Sequence, residues 1–402
     1  MNKLAINGGT PAFQKGELNS LLPKWPPYYP ETEQKLLEVY RSNHWGGKGP
    51  YEMKLMTEFA AFQDAKYAVW MCNGTTTLEC ALLALGIGPG DEVIVPGMTW
   101  VATAEAPIYV GATPVIVDID PNTLCIDPAK IEEAITPRTK AIIPVHLYSA
   151  IADMDRINDI ARKHGLFVIE DCAHSHGAKQ HGRGTGSIGQ IGSFSFQSSK
   201  LMTAGEGGCC TTNDERLADR IFRLSHIGNS VLRPKEHLEK GLVCHQYRFT
   251  EFQAAIIYDQ LQHQAEERRK RGELADYMKS LIRKMPYLRV QSSSCADDLR
   301  DYYFIAFMIN QEYMKPGTRL REDIYIPLAA EGIDVAGWGR TLCDMEAWNI
   351  PADMFVKHDT SVCDRVMYQE LICTGHRLLM TNRTVLERWV AGVDKVLKAC
   401  LK

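Results

Sequence analysis

Four short stretches set reactive side chains beside small or turn-forming residues. In "FSFQSSKLMTAGEGGCC" (194–210), Lys200 stands between a β-like run and three glycines. Its amine is either solvated, the usual fate of a lysine, or a nucleophile and base toward a carbonyl. "FVIEDCAHSHG" (167–177) ends an apolar run in Glu170, Asp171, His174 and His176; an acid there lines a crevice or merely caps the next turn. "CNGTTTLEC" (72–80) presents Gly74, Thr75 and Thr76 ahead of a helical pattern. Free N–H groups and hydroxyls at a helix start hold a phosphate, or a Thr caps the helix with no ligand. In "PGMTWVATAEA", Trp100 follows an apolar strand, where a ring stacks on a ligand or fills the core.

The elements that must position these groups follow from periodicity. From about residue 65 to 212, β-branched runs ("DEVIVPG", "ATPVIVDID", "KAIIPVHLY", "LFVIEDCA", "GSFSFQ", "GGCCTT") alternate with helical patterns, which predicts an α/β fold with a mostly parallel sheet between helices. "TTTLECALLAL" predicts a Thr-capped helix over 75–85, and "DMDRINDIARKHG" an amphipathic helix ending at Gly165. From Glu251 to about Ile282 a long, increasingly charged helix is expected to join two domains. Beyond it, "YYFIAFMI" and "HRLLM" are expected as strands and "TVLERWVAGVDKVLKACLK" as a closing amphipathic helix. The expected division is an N-terminal arm (1–22), a large domain (23–270) and a small α+β domain (271–402).

On that frame a helix start, an aromatic ring, a carboxylate and a lysine all fall at strand ends on one side of one sheet. Pyridoxal phosphate needs that set: an amine for its aldehyde, an acid for its pyridine nitrogen, a ring to stack on it and a cradle for its phosphate. The glycines of "AGEGG" would let the chain turn closely around such a group. "GTGSIG" (184–189) matches the dinucleotide fingerprint, but it follows polar "AKQHGR" and leads into a strand, so it reads as an ordinary glycine-rich turn.

Composition sets outer limits. The 402 residues are 45% hydrophobic with a net charge of -4, so nucleic acid and anionic membrane surfaces are not expected partners. No run approaches the roughly 18 apolar residues of a membrane span. Twelve cysteines lie scattered without metal-ligand spacing; no metal site is expected, adjacent Cys209 and Cys210 read as packed thiols, and the protein is expected in a reducing cytoplasm.

Taken in order, "NGTTTLECALLALGIGPGDEVIVPGMTWVATAEA", "VDIDPNTLCIDP", "AIIPVHLYSAIADMD", "VIEDCAHSHGA" and "SFSFQSSKLMTAGEGG" resemble the DegT/DnrJ/StrS aminotransferases, fold-type I pyridoxal phosphate enzymes of sugar and cyclitol ketones. The resemblance implies Lys200 as the Schiff-base lysine, Asp171 as partner of the pyridine nitrogen and Trp100 as the stacking ring. It also implies Gly74, Thr75 and Ser195 as phosphate ligands and His174 near the phenolic oxygen. "NHWGGKGPYEMKLMTEFAAF" resembles the family's substrate loop, making Trp45 and Gly46 substrate-contact candidates. A second subunit in this family supplies an asparagine to the phosphate, which implies a homodimer. Here Gln246 stands in that place, one methylene longer, so the cross-subunit contact needs a shifted backbone or is lost. Ser149 replaces a usual glycine and is expected to narrow the cleft. "FSFQ..KLMTAGEGG" is closer to the branch that aminates inososes and related carbocyclic rings, aminobenzoate synthases included. That implies ping-pong transfer from L-glutamine or L-glutamate to a cyclitol ketone, as in aminocyclitol antibiotic biosynthesis. A nucleotide-linked ketosugar as acceptor and a silent cofactor-binding partner are the alternatives, while the dehydratase relatives carry histidine in place of Lys200.

Overall fold

The computed structural model describes residues 3–234, 240–335 and 339–402. Its strands are β1 (Tyr67–Met71), β2 (Glu92–Pro96), β3 (Thr113–Val117), β4 (Thr139–Ile142), β5 (Phe167–Asp171), β6 (Lys179–Gln180), β7 (Arg183–Gly184), β8 (Ile191–Ser195), β9 (Gly208–Thr212), β10 (Leu288–Val290), β11 (Phe304–Ile309), β12 (Val356–Lys357) and β13 (Leu371–Gly375). Eight of them form one sheet in the order β1-β9-β8-β5-β4-β2-β3-β12. From β8 to β12 every pairing is parallel, and β9 alone runs against both its neighbours.

The runs "EVIVP" and "TPVIV" are near-continuous apolar stretches because both faces of the sheet are covered. Alternate side chains enter two different cores: Ile94, Val115 and Ile142 on one face, Val93, Ile116 and Ala141 on the other. The helices Gly74–Ala84, Ala102–Tyr109 and Met154–His164 connect the strands. Asp153 caps the last of these and Gly165, at φ +67°, ends it. Because β1, β2, β5 and β8 point the same way, their carboxyl ends share one edge of the sheet, the edge that carries ligands in such folds.

The helix Glu251–Ile282 leaves the large sheet and reaches a second, antiparallel sheet, β10-β11-β13. Ala275, Met278 and Ile282 share a core there with Phe307 and with Trp389 and Val393 of the closing helix Arg383–Cys400. Leu4, Phe13 and Leu18 belong to that same core, and the N–H groups of Ala5 and Ala12 donate to the Glu331 carboxylate. The N-terminal stretch is thus bound to its own chain. The segment from Leu342 to Val366 returns to the large sheet, where β12 pairs with β3 and Cys363 joins the core.

Three local expectations are corrected. "HRLLM" is no strand: β13 is the preceding "LICTG", and Leu378–Met380 is a turn of 3₁₀ helix. The apolar, β-branched run pairs with β11, and the ladder ends where the chain turns at Gly375. The helix expected from Thr75 starts at Gly74, and its cap is Asn73, whose side chain accepts from the Thr76 N–H at 2.9 Å. Ser149 does not narrow the cleft: it is buried behind it, with its hydroxyl and carbonyl both accepting from Arg300.

Candidate active site

At the shared strand edge lies a cavity of about 390 Å³. Gly74, Thr75, Trp100, Asp171, His174, Ser195 and Lys200, seven of the residues singled out by sequence, line it together.

Asp171 ends β5 and is held at both carboxylate oxygens. One accepts from the Thr103 hydroxyl at 2.8 Å, the other from the Ala173 N–H at 3.1 Å; Thr99 lies behind Thr103 at 2.7 Å. Burial raises this carboxyl above the usual range, and those donors together with the Lys200 ammonium oppose the rise. Its neighbour Glu170 is fully buried and points the other way. It accepts N–H groups from Gly186, Ile188 and Gly189 and pairs with His146 at 3.0 Å. The glycine-rich turn "GTGSIG" therefore does bind an anion, the chain's own carboxylate.

The turn into Gly74–Ala84 packs directly on β8. A β-carbon on Gly74 would lie 2.7 Å from that of Ser195, and one on Gly208 would lie 2.2 Å from the Asn73 carbonyl oxygen. Gly207 is pressed against Phe249 in the same way. Two of the three "AGEGG" glycines thus serve protein packing, and only Gly205, at φ +81°, makes the turn itself.

Lys200 is half-buried, its N–H donating to the Gln197 carbonyl. Its ammonium lies 4.7 Å from the Tyr303 ring centre. Desolvation pushes its pKa down to about 8, with Asp171 pulling the other way. His174 packs on Tyr303 at 4.4 Å, and its Nδ1 accepts from the Tyr148 N–H at 3.3 Å. Burial holds its pKa well below the ordinary value, so the ring is neutral. His176 lies one layer deeper, against the Ser195 carbonyl at 3.0 Å, and burial takes it down to about 3. Trp100 stands half-exposed at the cavity mouth.

Trp45, Gly46 and Gln246 do not line this cavity. Trp45 stacks on Tyr40 and donates to its carbonyl at 3.1 Å, and Gly46 faces open space. Gln246 is exposed, paired with His226 in an isolated bridge. Its neighbour Tyr247 reaches the turn ahead of the helix Gly74–Ala84, its carbonyl accepting the Cys72 N–H at 2.8 Å. Sequence reasoning missed Thr103, Ser199, Glu206 and Tyr303, all in the lining. Tyr303 was visible only as part of a strand-like run, with nothing to show that its ring would reach across to Lys200.

The sequence model of the DegT/DnrJ/EryC1/StrS aminotransferase family matches residues 28–366. This chain belongs to that family. Among curated relatives, this aminotransferase is 42% identical to the L-glutamine:2-deoxy-scyllo-inosose aminotransferase of Streptoalloteichus tenebrarius, with 98% of this chain and 97% of the relative covered. It is 40% identical to the L-glutamine:scyllo-inosose aminotransferase of Streptomyces griseus over 75% and 73% of the two chains. A crystal structure of 3-amino-5-hydroxybenzoic acid synthase superposes with a TM-score of 0.82 at 29% identity, covering 94% of this chain and 99% of that one. All twelve cysteines of this aminotransferase are free, Cys209 and Cys210 buried. Among the described residues no helix is long and apolar enough to cross a membrane.

Proposed function

We propose that this aminotransferase holds pyridoxal phosphate in the cavity and transfers the amino group of L-glutamine, or of L-glutamate, to a ring ketone of a free cyclitol of the inosose type. The observation that carries the choice of acceptor is the charge of the lining: among the described residues there, Lys200 is the sole cation, while Glu206, Gln197, Ser199 and Tyr303 offer polar groups suited to hydroxyls. A nucleotide-linked sugar brings a diphosphate that calls for Arg or Lys. The names of the inosose-aminating relatives support the same choice.

The residues fit the cofactor on structural grounds. The absent β-carbon of Gly74 leaves a helix start pressed against Ser195, a cradle of N–H groups and hydroxyls for phosphate. Bound there, pyridoxal phosphate would supply the electron sink that makes a hydrogen on a substrate's α-carbon acidic. The chain does the rest. Asp171 Oδ2, anchored by Thr103, would keep a proton on the cofactor's ring nitrogen. Lys200 Nζ would hold the aldehyde carbon and, once displaced by an amine, move the proton to and from the substrate carbon. With a pKa of about 8 it is neutral in about a tenth of molecules at pH 7, against about one in 2,500 for a free lysine. Trp100 would cover the ring face, and neutral His174 with Tyr303 would wall the side from which the substrate enters.

A homodimer is part of this reading. It would cover the exposed Trp100 and bring Gln246, and the loop of Trp45 and Gly46, to a partner's cavity. The testing experiment supplies L-glutamine with scyllo-inosose, 2-deoxy-scyllo-inosose or a nucleotide-linked 4-ketosugar, and follows the amine product. Turnover confined to the carbocycles supports the reading; preference for the nucleotide sugar overturns the acceptor, and no turnover with cofactor bound would make the chain a silent partner.

A further inference from the structure

Outside the lining of the cavity, three chain segments bring unlike donor atoms together. Asp155 stands in the first turn of the helix Met154–His164, His181 at the tip of the β6–β7 hairpin, and Cys295 in the loop that leads to β11. His181 Nε2 lies 2.9 Å from Asp155 Oδ2 and 3.3 Å from Cys295 Sγ. One ligand atom from each of the three lies within 4.8 Å of the others, and Cys295 forms a second such group with Asp297 and Asp298. Asp297 also reaches His181 Nδ1, at 3.3 Å.

A tetrahedral zinc ion held by N, O and S would set its donors about 3.3 Å apart for N and O and about 3.6 Å for N and S. The observed separations fall short by a few tenths of an ångström, and exposed side chains can open by that much. The bland alternative is a protonated His181 clamped by carboxylates, but exposed pairs of that kind add little stability. It also leaves two facts without a role: a thiol directed at the imidazole, and Asp298 Oδ1, which is shielded from solvent yet has no hydrogen-bond partner. Two carboxylates on one histidine, with Asp298 grouped beside Cys295, make the spot attractive to a cation, and the mixed His, Cys and Asp set suits a borderline metal better than Mg²⁺ or Ca²⁺.

We propose that Asp155, His181 and Cys295, with a carboxylate of Asp297 or Asp298 completing the shell, form a binding site for a zinc-type divalent cation. The ion fastens the loop 293–298 to the large domain. That loop is also held by Ser293 Oγ, which accepts the Ile151 N–H at 3.0 Å, by Ser294 Oγ, which accepts from Gln180 Nε2 at 2.7 Å, and by the pairing of Leu299 with Lys179 at 2.8 Å; four residues beyond Leu299 the chain delivers Tyr303 to the cavity wall. The site is structural, 26 and 114 residues separating His181 from its two partners, and its occupancy is independent of the aminotransfer reading.

The test uses enzyme loaded with pyridoxal phosphate, freed of excess cofactor and stripped with a chelator. Zinc chloride is titrated calorimetrically, with the melting temperature followed alongside. Expected are one zinc per chain in the wild type with a raised melting temperature, at least tenfold weaker binding in His181→Ala and Cys295→Ser, and unchanged turnover in both. Cobalt(II) chloride gives an independent readout, since a bound thiolate adds a sulfur-to-cobalt charge-transfer absorption that Cys295→Ser removes. No stoichiometric zinc in the wild type, or binding equal in all three proteins, overturns the proposal. Should a variant fail to fold, the presence or absence of that cobalt absorption in the wild type decides.

Discussion

Gly74 and Ser195 stand so close that a side chain on the glycine would place its β-carbon 2.7 Å from that of the serine. The helix start and the end of β8 are thereby fixed as one surface. Gly74→Ala must push them apart, an overpacking cost of about 1–3 kcal/mol. Pyridoxal phosphate affinity should fall at least tenfold by equilibrium dialysis, and the melting temperature should drop. Adding Ser195→Gly removes the nearest atoms of the clash and should restore the melting temperature without restoring cofactor affinity. A single Gly74→Ala variant with normal affinity would show that this contact does not shape the phosphate cradle.

The Lys200 amine, drawn down to about 8 by burial, captures an aldehyde only when neutral. The rate of covalent capture of pyridoxal phosphate by cofactor-free protein should rise with pH to a midpoint near that value. Asp171 raises the Lys200 pKa, so Asp171→Asn should move the midpoint to lower pH while reducing turnover by orders of magnitude. Borohydride trapping followed by peptide mass spectrometry should place the label on Lys200 and find none in Lys200→Arg. A midpoint that ignores Asp171→Asn would contradict the stated electrostatics.

Thr103 is the side chain that donates to Asp171 Oδ2. Hydrogen bonds to charged groups contribute about 1.5–3 kcal/mol, so Thr103→Val should lower kcat/KM by about ten- to a hundredfold with the fold intact. Thr99→Val, one bond further back, should cost much less. Equal losses in the two variants would point to packing instead of to the carboxylate.

Outside the cavity, Glu52 is buried to 1% exposure, and desolvation pushes its pKa up to about 7. Its Oε1 has no hydrogen-bond partner and faces His226 Nε2 at 4.0 Å. A folded-state value above the unfolded 4.5 means that the folded chain binds the proton more tightly; this stabilisation is complete below about 4.5 and fades as pH climbs through about 7. His226, held down to about 4 by burial, acts oppositely but only below its unfolded value of about 6.5. Between about pH 6.5 and 8 Glu52 therefore contributes a falling slope worth about 1 kcal/mol, opposite in sign to the contribution of Lys200, which is drawn down to about 8. Relative to the wild type, Glu52→Gln should lose that falling contribution across the window and show a higher melting temperature at pH 8. An unchanged slope would show that Glu52 ionises as freely in the folded chain as in the unfolded one.

Much of the site was legible in the chain because its residues sit at ends of elements with strong local signals. β-branched runs fixed where β2, β5 and β8 stop, and a Gly-Thr start marked the helix that follows β1, so Gly74, Trp100, Asp171 and Lys200 could be assigned to one edge without coordinates. What stayed hidden depends on contacts between distant segments. No local pattern shows that "GTGSIG" spends its N–H groups on Glu170, that Tyr303 crosses from the second sheet to Lys200, or that Thr103 rather than solvent meets Asp171. Nor does spacing reveal that Trp45 and Gly46 lie away from their own chain's cavity. Periodicity is set by each segment's need to bury one face, and the sequence carries that need residue by residue. Which faces meet is decided by packing two sheets and one long helix together, and there the side chains of residues a hundred positions apart first share a surface.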